Sequence, residues 1–180
     1  EVEDVLREAE RLHRTLLKEI RDALRRLRKL IEDVKRKDDE SLKRLREKLE
    51  RLKESLERNK VEEDLKRTLE KVREELERAS ERSKRHLEKV LRELEKIIKE
   101  LEDRLRENLD RVRRVVDKPV DREELKKLLE DSKRSLDELR RRLKEVEDRV
   151  REAIKKNEDE NRKLERRLDK IIEDLERRVK

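Results

Sequence analysis

The sequence predicts an all-α fold: an antiparallel, up-down-up bundle of three very long, nearly straight helices with coiled-coil-like packing. Three observations carry that expectation. The first is composition. Charged residues make up 62% and apolar residues 30%, with no Gly, Cys, Met or aromatic residue and one Pro; an ordinary globular domain has about 25% charged and 45–50% apolar residues. Low hydrophobicity alone would suggest disorder, but Leu, Glu, Lys and Arg dominate, and all are good helix formers. An apolar fraction near two in seven is what a heptad seam needs. The second observation is spacing: apolar residues recur at steps of three and four. The third is that this phase breaks at only two places.

The first helix is expected over about 2–58. Its stripe runs Val2, Val5, Ala9, Leu12, Leu16, Ile20, Ala23, Leu27, Leu30, Val34 and resumes at Leu45, Leu49, Leu52 and Leu56. Between them lies "KRKDDES", which reads locally as a loop. The phase crosses it without a slip, with Asp38 and Ser41 standing at stripe positions, so the stretch belongs inside the helix. From Leu56 to Leu65 the phase breaks. Asn59, with Glu62 three residues later, has capping-box spacing, so the second helix is expected over about 60–117. Its stripe includes Leu65, Leu76, Ser83, His86, Leu94, Ile97, Leu105, Asn108 and Val115. The second break contains Pro119, which disfavours helix at Lys118. Asp121 and Glu124 repeat the capping-box spacing, and Val120 and Leu125 sit where a hydrophobic staple clamps the entry. The third helix is expected over about 121–179. Acids open each segment and bases gather at its end, complementing the helix dipole three times. Each helix would be about 85–90 Å long, and residues 1–180 are expected to form a single elongated domain. The repeat averages close to 3.6 residues, which predicts little supercoiling.

Short loops make neighbours antiparallel. Position i of the first helix should then lie level with about 118 − i on the second and about i + 120 on the third, to within about one turn. On that ruler the long apolar gap of each stripe falls at one height. Asp38, Ser41, Ser80, Ser83, Asn157 and Asn161 should face one another, with His86 at the edge. A buried polar group without a partner costs about 1–3 kcal/mol, so six at one level make sense as a self-satisfying network that specifies register. A second, smaller layer should join His13, Asn108, Ser132 and Ser135. The competing reading is that all three helices break at the gap, giving two short bundles end to end; it needs turns without Gly or Pro, in phase, at three matching heights.

Chemistry is sparse. Absence of Cys removes disulfides, thiolate nucleophiles and zinc–thiolate sites. Two histidines at different heights cannot share a metal, and no Glu-x-x-His pair recurs on two helices as carboxylate metal bundles require. No catalytic, cofactor-binding or metal-ligating residue is expected, and no enzyme. The net charge of +7 is spread evenly, at +3, +2 and +2 over residues 1–59, 60–118 and 119–180. With signs interspersed and no aromatic to stack a base, nucleic acid is not an expected partner. No apolar run reaches the ~18–20 residues of a membrane span. No signal peptide and no compartment can be read. Glu1 in place of Met suggests a preceding tag.

Matched helices, capping-box spacing at both loops, Leu/Ile/Val seams, Glu/Lys/Arg surfaces and polar layers in a dry core together resemble de novo designed helical bundles with buried hydrogen-bond networks. The resemblance covers the whole chain and rests on pattern, since that class has no signature motif. It implies a structural scaffold with no natural activity and no required partner. The alternative is a designed interaction module. Doubled apolar positions such as Val5/Leu6, Leu16/Leu17, Ala23/Leu24, Leu30/Ile31, Val90/Leu91 and Ile97/Ile98 widen the seam and could seat a homo- or hetero-oligomer partner.

Overall fold

The computed structural model describes residues 1–59 and 62–179; Lys60, Val61 and Lys180 lie outside the described residues. Three helices, α1 (Val2–Arg58), α2 (Glu63–Val116) and α3 (Arg122–Val179), make up 95% of the described residues and pack against one another as a three-helix bundle. Among the described residues there is no strand and no residue with positive φ. The helices run unbroken through 35–41, 80–86 and 157–161. "KRKDDES" is therefore helical, as its preserved phase requires, and the broken-helix alternative is overturned.

By contact the chain divides into two compact units, Glu1–Lys29 with Leu91–Arg151 and Leu30–Val90 with Glu152–Lys180. Each takes a stretch of all three helices. In the first unit, Ala9, Leu109, Val112, Val116 and Leu125 form a buried cluster beside the α2–α3 connection, with Val5, Leu6, Val120 and Leu128 packed on it. Val120 and Leu125 thus share one cluster across the entry to α3, the geometry of a staple. Asp121 accepts a hydrogen bond from the Glu124 N–H through Oδ1 at 2.9 Å, as an N-cap should. In the second unit, a Leu-rich cluster is built from α1 (Leu42, Leu45, Leu49, Leu52, Leu56), α2 (Leu65, Leu69, Val72, Leu76) and α3 (Leu168, Ile172, Leu175).

Ion pairs at the rims show the register of each unit. In the first, Glu10–Arg113 (3.5 Å) and Arg28–Glu95 (3.1 Å) link α1 to α2. In the second, Arg46–Glu77 (2.6 Å) and Glu50–Arg73 (3.5 Å) do the same. All four pairs have residue numbers totalling 123, so α1 and α2 are antiparallel. Between α1 and α3 the residue numbers differ by 121, as for Glu1–Arg122, Glu19–Arg140 and Arg26–Glu147 in the first unit and Lys48–Asp169 in the second; those helices are parallel. Exposed pairs of this kind contribute roughly 0–1 kcal/mol each.

Three sequence expectations need correction. Asn59 does not cap α2. Its N–H donates to the Ser55 carbonyl at 3.2 Å and so extends the last turn of α1, while α2 opens at Glu63 and the Leu65 N–H reaches the Glu62 carbonyl at 3.2 Å. The expected start of helix 2 at Lys60 lies outside the described residues. The α1–α2 ion pairs total 123 rather than the expected 118, so the α2 heights shift by five residues, a little over one turn. At three adjacent apolar pairs the seam runs through Ile31, Ile98 and Val116, which are buried, rather than Leu30, Ile97 and Val115, which are half-buried, whereas at Leu16/Leu17, Ala23/Leu24 and Val90/Leu91 the first member is the buried one. A 3.6-residue repeat drifts against a fixed three–four pattern, so the member that faces the core changes along each helix.

Candidate functional site

The long apolar gaps of the three helices meet inside the second unit. Ser83 of α2 is its hub, 4% exposed. Its hydroxyl donates to Asp38 Oδ2 of α1 at 3.0 Å. Its oxygen accepts from Asn157 Nδ2 at 3.0 Å and from Asn161 Nδ2 at 3.2 Å, both on α3. Asn157 Nδ2 also lies 3.4 Å from Asp38 Oδ2. A hydroxyl offers one donor and two acceptor sites, so Ser83 is saturated by one partner on α1 and two on α3. Residues 157 and 161 lie one turn apart on the same face of α3, which is why both amides reach a single oxygen.

Asp38 is the only ionisable member of this layer. Burial pushes its carboxyl above the ordinary aspartate value, the Ser83 hydroxyl and the nearby Asn161 amide oppose that, and the negative charges of Glu158 and Asp39 reinforce it. The side chain is half-buried. A cavity of about 190 Å³ flanks it on the α1–α2 side, lined by Lys35, Asp38, Ser80, Ser83 and Lys84 among others. A second, of about 340 Å³, lies on the α2–α3 side, where Asn157 and Asn161 face Ala79 and Arg82. The layer is thus a wall between two partly open spaces.

The other predicted members fall elsewhere. Ser80 is buried, but its hydroxyl accepts from Arg46 Nη2 at 3.3 Å, a surface guanidinium already paired with Glu77. Ser41 is half-buried and makes no side-chain hydrogen bond among the described residues. His86 is exposed, with Nε2 at 3.4 Å from the Ala153 carbonyl, so it lies outside the layer. Serines one turn from a hub need a partner on the neighbouring helix to be drawn in, and at Ser80 an arginine arrives first. Arg46 itself gave no signal in the sequence, being one of many surface cations.

The smaller layer lies in the first unit. Asn108 Nδ2 donates to Ser132 Oγ at 3.0 Å, and both residues are buried. His13 comes close to the Leu105 carbonyl rather than to that pair, and its Nδ1 is sealed from solvent without a partner. Burial lowers the affinity of the His13 ring for a proton, with Arg113 and Arg106 acting the same way against the Leu105 carbonyl and Asp110. Ser135 is half-buried and opens with Asn108 onto a cavity of about 230 Å³.

Among the described residues no group of three or more His, Asp or Glu side chains could hold a metal ion. No helix is long and apolar enough to cross a membrane. Both layers bring together amides, hydroxyls and one carboxylate, groups suited to holding hydrogen bonds in fixed geometry. No family model, curated protein or solved structure matches the chain.

Proposed function

We propose that this chain is a designed structural scaffold without a biochemical reaction of its own, in which buried polar layers fix how the helices are aligned. One observation carries the reading: the rim charges alone cannot distinguish the native register from one slipped by a heptad. Moving α2 so that its numbers total 116 with those of α1, instead of 123, sets Arg28 against Glu88, Arg46 against Glu70, Glu50 against Lys66 and Glu10 against Arg106. All four contacts remain attractive. The leucine seam is nearly as tolerant, since two steps of about 3.6 residues turn it only about 20° away from a seven-residue slip. The polar layers are not tolerant. Asp38 and Ser83 total 121; after the same slip Asp38 lies level with Leu76 and Ser83 with Ile31, both core residues of the native fold. Asn108 and Ser132 would meet Leu125 and Leu101. Each stranded polar group costs about 1–3 kcal/mol, more than exposed ion pairs could offset.

The test replaces the larger layer by Asp38→Leu, Ser83→Ala, Asn157→Leu and Asn161→Leu, with spin labels at Arg7 of α1 and Lys99 of α2, both exposed. Stability should hold or rise. The parent should give one inter-label distance, and the variant a second one shorter by up to about 10 Å, seven residues at 1.5 Å each. A single distance in the variant, or extensive unfolding, would sink the register reading.

The interaction-module reading draws less support. The doubled positions Leu17, Leu24, Leu30, Leu91 and Ile97 are half-buried within the chain, and the one exposed large apolar residue among those described is Val2. A light-scattering mass of one chain fits the closed scaffold, and a mass of two or more overturns it.

A further inference from the structure

We infer that the α2–α3 cavity of the second unit is a binding site for a protonated oxyanion of the hydrogen phosphate class. The cavity, about 340 Å³, has room for such an ion. Three cations stand around it, Arg82, Lys163 and Arg167, against one acid, Glu160. Arg167 is already paired with Glu75. Arg82 and Lys163 make no ion pair among the described residues, so their donors remain for a guest.

The inner wall narrows the choice of anion. Asn157 and Asn161 direct their amide nitrogens to Ser83, and Asn157 also to Asp38. That leaves their Oδ1 atoms for the cavity the two residues line, and a carbonyl oxygen can only accept. Ser83 has no hydrogen-bonding capacity left. A fully deprotonated anion would meet two carbonyl dipoles of the wrong sign there. Hydrogen phosphate and dihydrogen phosphate keep an O–H at neutral pH, which can donate to an Asn carbonyl while their anionic oxygens accept from Arg82 and Lys163. Sulfate has the same shape and no proton to give. The inference rests on this cavity and not on the scaffold reading, so either can fail alone.

The experiment titrates the full chain at pH 7 with sodium phosphate and, separately, with sodium sulfate at matched ionic strength, following the side-chain amide resonances of Asn157 and Asn161. Saturable shifts are expected, with phosphate preferred over sulfate by up to about tenfold, the factor that one ordinary hydrogen bond supplies. The double variant Arg82→Gln, Lys163→Gln should lose the phosphate response. Arg85→Gln with Lys89→Gln, which removes the same charge from an exposed face, should keep it. Equal curves for the two anions on the parent chain, shifts that never saturate, or equal loss in both charge variants would each overturn the site. The phosphate–sulfate comparison needs no variant, so it decides even if a substituted chain fails to fold.

Discussion

The polar layer of the second unit and that of the first solve the same problem differently. In the second unit one hydroxyl serves three partners from two helices, and a carboxylate supplies the acceptor that completes the set. In the first unit a single amide–hydroxyl pair joins α2 to α3, while the expected α1 member, His13, lies by the Leu105 carbonyl with a sealed nitrogen. The difference lies in valence. Ser83 has three hydrogen-bonding sites and neighbours that fill them. Asn108 and Ser132 satisfy one contact of each other, and His13 Nδ1 on α1 finds a partner in neither. A polar layer thus holds three helices together only when its central group has a site for each.

That contrast can be broken most sharply at the two hydroxyls. Ser83→Val should cost about 2–4 kcal/mol in a guanidinium titration, because Asp38 and both amides lose their common partner at once. Ser132→Val should cost about 1–2 kcal/mol, since Asn108 alone is stranded. Equal losses would mean that the hub is no more than a pair. His13→Leu should instead stabilise, by about 1 kcal/mol, through removal of the orphaned nitrogen. The gain should grow as pH falls below 6.5. Burial holds the folded ring below its ordinary proton affinity, so the unfolded chain binds the proton first and acid erodes stability in that window. A gain that stays flat with pH would place the ring in solvent.

The smallest effect is expected at Asp38. Its carboxyl titrates above the unfolded value of 3.8, so the folded chain holds more protons between the two values. The cost is absent below 3.8, develops as pH rises through the folded value and is complete at neutral pH. Asp38→Asn should therefore raise the thermal midpoint at pH 7 and leave it unchanged near pH 3. An increase of the same size at both would remove ionisation from the account.

The helices were legible in the sequence because periodicity is an average over some fifty residues, and no single side chain can spoil it. "KRKDDES" illustrates this: seven polar residues imitate a loop, and the phase on either side outweighs them. The polar layer was legible to the level of a turn, enough to bring Asp38, Ser83, Asn157 and Asn161 to one height. Height does not fix direction. Ser80 and Ser41 share that height with Asp38, but hydrogen bonding depends on where a short side chain points and on which long one reaches it first. His86 occupies a stripe position in the count yet faces solvent, because a position at the edge of a drifting stripe rotates out within a few turns. The failed cap at Asn59 has a related cause: a four-residue motif marks where a helix could begin, and α2 opens at Glu63 instead.

The ion-pair numbering also bears on the order of assembly. Contacts between α1 and α2 join residues as few as 23 apart, at Glu50–Arg73, and those between α2 and α3 as few as 24 apart, at Asn108–Ser132. Among the described residues every α1–α3 ion pair spans 121 residues, and the Asp38–Asn157 hydrogen bond 119. Closing the shorter loops costs about 1.5 kcal/mol less chain entropy than closing the longer. Each unit contains one of these local hairpins, so the chain has two separate starting points for folding, and in each the helix that arrives last is the one not in its hairpin. Pulse-labelled hydrogen exchange should find the α2–α3 hairpin of the first unit protected before its α1 segment, and the α1–α2 hairpin of the second unit protected before its α3 segment; simultaneous protection throughout would argue against two nuclei.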